Sequence, residues 1–339
     1  MLDINFDDQS SKKFIVASDT KVGELVQKII QKLGITQDLE SLGLFEARVI
    51  DSVLQERYLR NIEVVPRILA PAKLVFKKRI FFYDNKNDPS ALHMEFIQLR
   101  ADVLRGHYAF GERDFLELAA LDLRISYGPP APNKFSPGFL QSKEQLEHYI
   151  PFTFIHAQKA AKWEQMLLEG YSKLAFAATE SDVAQKLRYM QRVRDMSGAY
   201  YGSIFYDGNE LLIVDQYVKD QIPVLLAINQ IGLHTFRKPP GWNTGKVSKG
   251  IPAQNILIRT NKFTEIHGWA AHEQSHTFIY TVPTNINSNT NTNTNEKKAQ
   301  VVSPEGDGLV RFTFESPLAV EIPDVCDRFV KLMMSAQSD

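Results

Sequence analysis

The spacing of apolar residues changes twice along this 339-residue chain, and those two changes limit what it can fold into. Alternation places side chains on one face of a strand, whereas spacing of three and four places them on one stripe of a helix. At the start, Leu2, Ile4 and Phe6 alternate, and Phe14 and Val16 repeat the pattern in residues 13–17. One helix interrupts. Val22, Leu25, Val26, Ile29, Ile30 and Leu33 form its stripe, and Gly34 stands where a left-handed C-terminal glycine belongs. Strands are expected again at 42–49 and 73–82, with a turn and short strand at 52–59 between them.

From residue 84 to 197 the period is helical. Asp88-Pro89 is a helix start, with Asp as the cap and Pro in the first turn. Leu92, Phe96, Leu99 and Val103 give the stripe, and Gly106 ends it. Further helices are expected at 113–126, 142–149, 158–176 and 181–196. The proline-rich stretch 127–138 is expected as a loop. From residue 200 strands return, at 201–206, 211–217, 224–229, 233–237, 256–259, 264–271, 276–282 and 309–315. The Pro- and Gly-rich stretch 238–252 reads as a long loop. A last helix carries Ile322, Val325, Phe329, Val330 and Met333 on one face, with Pro323 kinking or restarting it. Between the last two strands, residues 284–298 are dominated by Asn and Thr, a composition that buries no apolar surface and predicts a disordered insertion. The fold class is therefore α+β, in several domains.

Composition excludes several functions. Lys plus Arg number 39 and Asp plus Glu 40, a net charge of −1, so the chain is not built to coat nucleic acid. Cys326 is the lone cysteine, which excludes an internal disulfide framework and a cysteine-cluster metal site and fits a reducing compartment. No signal-peptide pattern opens the chain and no run of about 18 apolar residues appears, so a soluble, cytoplasmic protein is expected. No catalytic residue, metal ligand or cofactor motif stands out. Residues 241–246 are one residue short of a phosphate-loop spacing, and Val247 follows where Ser or Thr is needed. His267, His272 and His276 lie near Glu265 and Glu273, but His267 and His272 are an odd number apart and point to opposite faces of a strand. They read as polar residues around a hairpin.

Several stretches resemble a known family. Lys77-Lys78-Arg79-Ile80-Phe81-Phe82-Tyr83 resembles the basic-aromatic strand that leads from the first lobe of a FERM domain to the second. Residues 98–106 resemble the first long helix of the second lobe. Tyr127-Gly128-Pro129, followed by Gly138-Phe139-Leu140, is similar to a loop of talin heads. Residues 201–206 resemble the strand that opens the third lobe, and residues 223–229 and 266–271 resemble the third lobes of talins and myosin-tail FERM domains. The resemblance implies a ubiquitin-like β-grasp lobe at 1–83, a helical lobe like acyl-CoA-binding protein at 84–198, and a PH/PTB-like sandwich with a C-terminal helix at 199–339. It also implies a non-catalytic adaptor at the inner face of the plasma membrane or cell cortex, linking membrane to cytoskeleton.

Three binding surfaces are expected from that resemblance and from the residues themselves. The first is a groove in the third lobe, where a receptor tail or other short peptide adds as a strand. Its edge would be Glu265, Ile266, His267, Gly268, Trp269, Ala270 and Ala271, facing Val325, Phe329 and Met333, with Trp269 as anchor. Talin heads carry a basic residue before this tryptophan; here it is Gly268. The second is an acidic phospholipid surface, met by Lys73, Lys77, Lys78 and Arg79, by Lys159, Lys162 and Lys173, and by Lys238, Lys246 and Lys249 as a phosphoinositide contact. The third is a Ras- or Rap-type small GTPase, met edge to edge at Lys12 and Lys13, residues that equally protect a strand edge.

Overall fold

The computed structural model describes residues 1–50, 53–65, 71–81, 87–131, 134–174, 180–214, 217–241, 254–284 and 308–336. They fall into two compact units. One comprises residues 1–79, 83–198 and 239–254, and the other residues 80–82, 199–238 and 255–339.

The first unit begins with a five-stranded sheet in the order β2-β1-β5-β3-β4. Its strands are β1 (Leu2–Asn5), β2 (Ser11–Phe14), β3 (Leu42–Ile50), β4 (Val53–Leu59) and β5 (Lys73–Lys78). β1 runs parallel to β5 and the remaining pairs are antiparallel. Helix α1 (Val22–Leu33) buries Val22, Leu25, Val26, Ile29 and Ile30, the stripe its spacing predicts. Gly34 closes it at φ 68°, a left-handed conformation costly for any residue with a Cβ. Ile4, Leu25, Ile29, Leu44 and Phe76 are fully buried in this region.

Two strands are shorter than the alternation predicts. β2 stops at Phe14, and Ile15 beyond it is 81% exposed. β5 stops at Lys78 because the Gln98 carboxamide takes both of that residue's backbone groups. Lys78 N–H donates to Gln98 Oε1 at 2.9 Å, and Gln98 Nε2 donates to the Lys78 carbonyl at 3.0 Å.

Among the described residues of this unit, five further helices follow: α2 (Pro89–Leu104), α3 (Glu112–Tyr127), α4 (Lys143–Glu147), α5 (Ala160–Ser172) and α6 (Asp182–Ser197). Asp88 caps α2 with one carboxylate oxygen, accepting from the N–H groups of Ser90 and Ala91. Its other oxygen accepts from the Thr36 and Gln37 N–H groups, tying the helix start to the loop after α1. Burial would raise the Asp88 carboxyl, but the N–H groups of Ala91, Thr36 and Gln37 together with the Thr36 hydroxyl hold it below its usual range. α2 buries polar Glu95, Gln98 and Asp102 as well as its apolar stripe, the mark of a helix surrounded on most sides. Phe115, Leu123, Trp163 and Leu167 form the centre of the α3–α5 packing.

The second unit is a seven-stranded sheet in the order β10-β11-β12-β6-β7-β8-β9 with one C-terminal helix. Its strands are β6 (Ile204–Val214), β7 (Tyr217–Ile228), β8 (Gly232–Arg237), β9 (Ile256–Lys262), β10 (Gly268–His272), β11 (Thr277–Pro283) and β12 (Leu309–Glu315). The two strands expected at 201–206 and 211–217 are one strand, β6, paired with β7 from Ile204↔Ile228 to Val214↔Tyr217. Gly208 permits this continuity, since a Cβ there would lie 2.2 Å from the Glu315 carbonyl oxygen. Arg259 on β9 links strands that are not neighbours in the sheet. Its guanidinium stacks 3.8 Å from the Phe312 ring centre, donates to Tyr280 Oη at 3.1 Å and pairs with Glu210 at 2.9 Å. Helix α7 (Ile322–Ala336) places Pro323 in its first turn, where no helical N–H is lost, so proline restarts the chain rather than kinking it. The predicted insertion falls, apart from Thr284, outside the described residues.

Candidate peptide-docking groove

β10 lies at one end of its sheet. β11 is its one strand partner, with Gly268↔Thr281 through His272↔Thr277 in register. Its other margin therefore faces no strand among the described residues. Gly-Trp-Ala-Ala-His carries no Lys or Arg on that edge. The adjoining wall is α7, where Asp327 Oδ1 accepts from the Trp269 indole N–H at 3.1 Å. The indole is half-buried, and its ring centre lies 5.7 Å from that of Phe263.

The expected lining needs correction at both walls. Glu265 and Ile266 are not extended edge. They sit in a turn where Glu265 N–H donates to the Lys262 carbonyl at 2.8 Å and Glu265 Oε2 accepts from Lys262 N–H at 3.0 Å. His267 N–H is spent on the Thr281 carbonyl, so the edge proper is residues 268–272, running to His272 rather than Ala271. On α7, Val325 and Phe329 are buried in the core with Ile322 and Cys326, and Met333 is half-buried against the same core. They hold the helix to the sheet instead of presenting a surface. Helical spacing from Asp327 puts Pro323, Val330 and Met334 on its side of the helix, and Met334 is 65% exposed. The apolar stripe led to Phe329. The flank that meets the indole carries Asp327, a charged residue that the apolar pattern passes over. Burial drives the Cys326 thiol pKa far up, so the lone cysteine is an inert core residue.

The basic residues separate in a way the sequence conceals. Lys73 is exposed. Lys77, Lys78 and Arg79 are withdrawn from solvent and do not form a lipid-facing patch with it. Lys77 pairs with Glu56 at 2.5 Å and stands 4.8 Å over the Phe45 ring. Burial alone would lower its pKa, but Glu56 and Asp7 outweigh that and hold it above the usual lysine range. Lys78 is 2% exposed, between Asp38 at 2.9 Å and Glu95 at 3.1 Å. The Arg79 guanidinium lies 3.9 Å from the Tyr58 ring centre. Lys238 is likewise buried in an ion pair with Asp207, and burial pulls its pKa down to about 8, so it is not a free phosphate contact. Lys246 and Lys249 lie outside the described residues. Lys159, Lys162 and Lys173 are exposed, with Lys173 paired to Glu169 at 2.7 Å. Lys12 and Lys13 are exposed on β2, one of the two edge strands of the first sheet among the described residues.

No group of three or more His, Cys, Asp or Glu among the described residues is placed to hold a metal ion. No described helix is long and apolar enough to cross a membrane.

Residues 83–206 match the FERM central domain. Talin-A of Dictyostelium discoideum is 28% identical over 275 residues, which is 80% of this chain and 10% of that protein. Human talin-2 is 26% identical over 160 residues, 45% of this chain and 6% of that protein. The chain thus spans a small part of the relatives it matches. Among solved structures, the C-terminal MyTH4-FERM domain of human myosin 7b, in complex with the harmonin-a PDZ3 domain, superposes with a TM-score of 0.63 at 16% identity. That match covers 98% of this chain and 60% of that one. The Drosophila Merlin FERM and C-terminal domain complex gives a TM-score of 0.60 at 14% identity, covering 100% of this chain and 98% of that one. The chain has a FERM-like fold, its residues 83–206 match the FERM central domain, and talin and myosin-tail FERM domains are among the proteins it is similar to.

Proposed function

We propose that this chain is a non-catalytic adaptor that takes an extended peptide, such as a receptor tail, as an added strand on β10 beside α7. In this reading the lobes are a ubiquitin-like module at 1–83, an acyl-CoA-binding-protein-like helical module at 84–198 and a PH/PTB-like sandwich at 199–339. They work at the cytoplasmic face of the cell cortex, between membrane and cytoskeleton. The observation that carries the reading is the margin of β10: without a strand partner among the described residues, free of Lys and Arg, and flanked by an indole tied to the neighbouring helix. Main-chain bonds along such an edge supply affinity, and the side chains around Trp269 and α7 supply selectivity. Acidic lipid is the second partner in this reading, met by the exposed Lys73, Lys159, Lys162 and Lys173.

The test is selection of unstructured peptides from a displayed library, followed by amide chemical-shift mapping on the full chain. The expected result is peptides that shift residues 268–272 and α7 and lose binding in Trp269→Ala. Selected peptides that map elsewhere, or that bind folded Trp269→Ala equally well, overturn the reading.

A second reading has its own support. Lys12 and Lys13 stand exposed on an edge strand, the arrangement that pairs edge to edge with a Ras- or Rap-type GTPase. Capture of GTP-loaded Rap or Ras by the chain, lost in the double variant Lys12→Glu/Lys13→Glu, is the expected outcome. Equal capture by the variant removes the site.

A further inference from the structure

The contact between the first sheet and α2 gathers three carboxylates around two fixed cations. Asp7, in the turn after β1, is buried, and its Oδ1 accepts from Arg105 Nη2 at 2.7 Å. Its Oδ2 is buried with no hydrogen-bond donor. Arg105, at the end of α2, also faces Asp102 at 3.5 Å and Glu56 at 4.0 Å. Glu56, on β4, is taken up by Lys77 of β5. His107 completes the group, its Nδ1 3.0 Å from Asp102 Oδ1. Arg105, Lys77, Glu56 and Asp102 are the groups whose charges act on Asp7, and His107 acts on Glu56. With Asp7 ionised, and leaving His107 aside, three negative charges oppose two positive ones in a place shielded from water.

We propose that this cluster is a proton-operated latch, in which uptake of one proton by Asp7 tightens the hold of the first sheet on α2 and its release loosens it. The two acidic partners of the cations are not equivalent. Burial would raise Glu56, but Lys77 and Arg105 outweigh it and hold that carboxyl at about 2, so it stays ionised. Burial raises Asp7 more than Arg105 and Lys77 lower it. Asp7 has one cation contact and an oxygen with no donor, whereas Glu56 lies against Lys77 with Arg105 near. The surplus negative charge therefore resides on Asp7. In the opened state Asp7 meets water and returns to 3.8. The closed state thus binds the proton more tightly, so closing gains as pH falls from the raised Asp7 value toward 3.8, and that gain is lost as pH rises through the raised value. Glu56 opposes this only below 4.5, its value when solvated.

Two measurements on the full chain test the latch. Carbon-13 detection of the Asp7 side-chain carboxyl should show a midpoint above 3.8. Amide hydrogen exchange, corrected for intrinsic rates, should show protection at residues 3–6 and 103–106 that is level above the measured Asp7 midpoint and rises as pH falls below it toward 4.5, by up to about tenfold per pH unit, the slope of one proton. That rise should be flat in Asp7→Asn and kept in His107→Gln. A midpoint at or below 3.8, a rise that persists in Asp7→Asn, or one abolished in His107→Gln overturns the proposal. If Asp7→Asn fails to fold, the carboxyl titration of the unaltered chain decides alone.

Discussion

The edge strands β2 and β10 solve the same problem in opposite ways. A strand edge exposes unpaired backbone groups and invites another chain to pair with it. β2 sets Lys12 and Lys13 into solvent, so an approaching strand meets two ammonium groups. β10 presents glycine, two alanines and a half-buried tryptophan, and leaves control of access to the helix beside it. A guarded edge admits a partner of opposite charge, whereas an unguarded edge admits a backbone. The same contrast runs through the lysines. Those on β2 are surface charges, while Lys77 and Lys78 on β5 are structural ions held in fixed pairs.

The contrast can be broken most forcefully at the residues that look like surface and are not. Phe329→Ala should cost about 3–5 kcal/mol, as for a deleted core aromatic. Denaturant unfolding that showed a loss under 1 kcal/mol would return Phe329 to the groove wall. Lys78→Met should cost about 3–5 kcal/mol, because Asp38 and Glu95 would stay buried without their cation. Lys12→Glu/Lys13→Glu, measured the same way, should stay within about 0.5 kcal/mol. Similar losses for the two would erase the distinction between structural and surface lysines.

The second unit has a titration of its own. His234 is buried, and burial lowers its pKa to about 4. Its Nδ1 lies 3.0 Å from Thr260 Oγ1 and its Nε2 lies 3.2 Å from Asn229 Oδ1. The unfolded chain binds this proton from about 6.5 downward and the folded one only near 4, so stability is lost as pH falls across that window. The slope approaches about 1.4 kcal/mol per pH unit and totals about 3 kcal/mol. Denaturation midpoints of the second unit between pH 7 and 4 check it, and His234→Gln should flatten them. The smallest expected change in stability carries the sharpest functional contrast. Ala270→Lys gives β10 the guard that β2 already has. Ala270 is exposed, so stability should move by less than about 0.5 kcal/mol, while binding of a selected peptide should fall at least tenfold. Unchanged affinity would mean the backbone of β10 is not the docking surface.

What the sequence made legible follows from range. α1 and its Gly34 stop could be read from the chain because a helix stripe is a local pattern. So could the identity of β10 as an edge, once strand order was borrowed from the FERM resemblance. Lys77 and Lys78 were misread as a lipid patch because Glu56, Asp38 and Glu95, which neutralise them, lie 17 to 40 residues away. Two long ionic side chains buried on one strand leave no trace in composition. The groove wall on α7 was misread for a subtler reason. Apolar periodicity finds the side of a helix that is fully buried, whereas a binding site borders the adjacent flank, where Asp327 stands beside Val330 and Met334.

The carboxamide of Gln98 occupies the position that a further strand would take at the end of β5. A sheet finished by a side chain from a later helix is incomplete until that helix has been made. During synthesis the first 80 residues would leave the ribosome with the end of β5 unsealed, and the ammonium of Lys78 lacking Glu95 as a counter-ion. Fragments cut between residues 80 and 88 should accordingly express poorly or associate through that open end, whereas fragments extended past α2 should not.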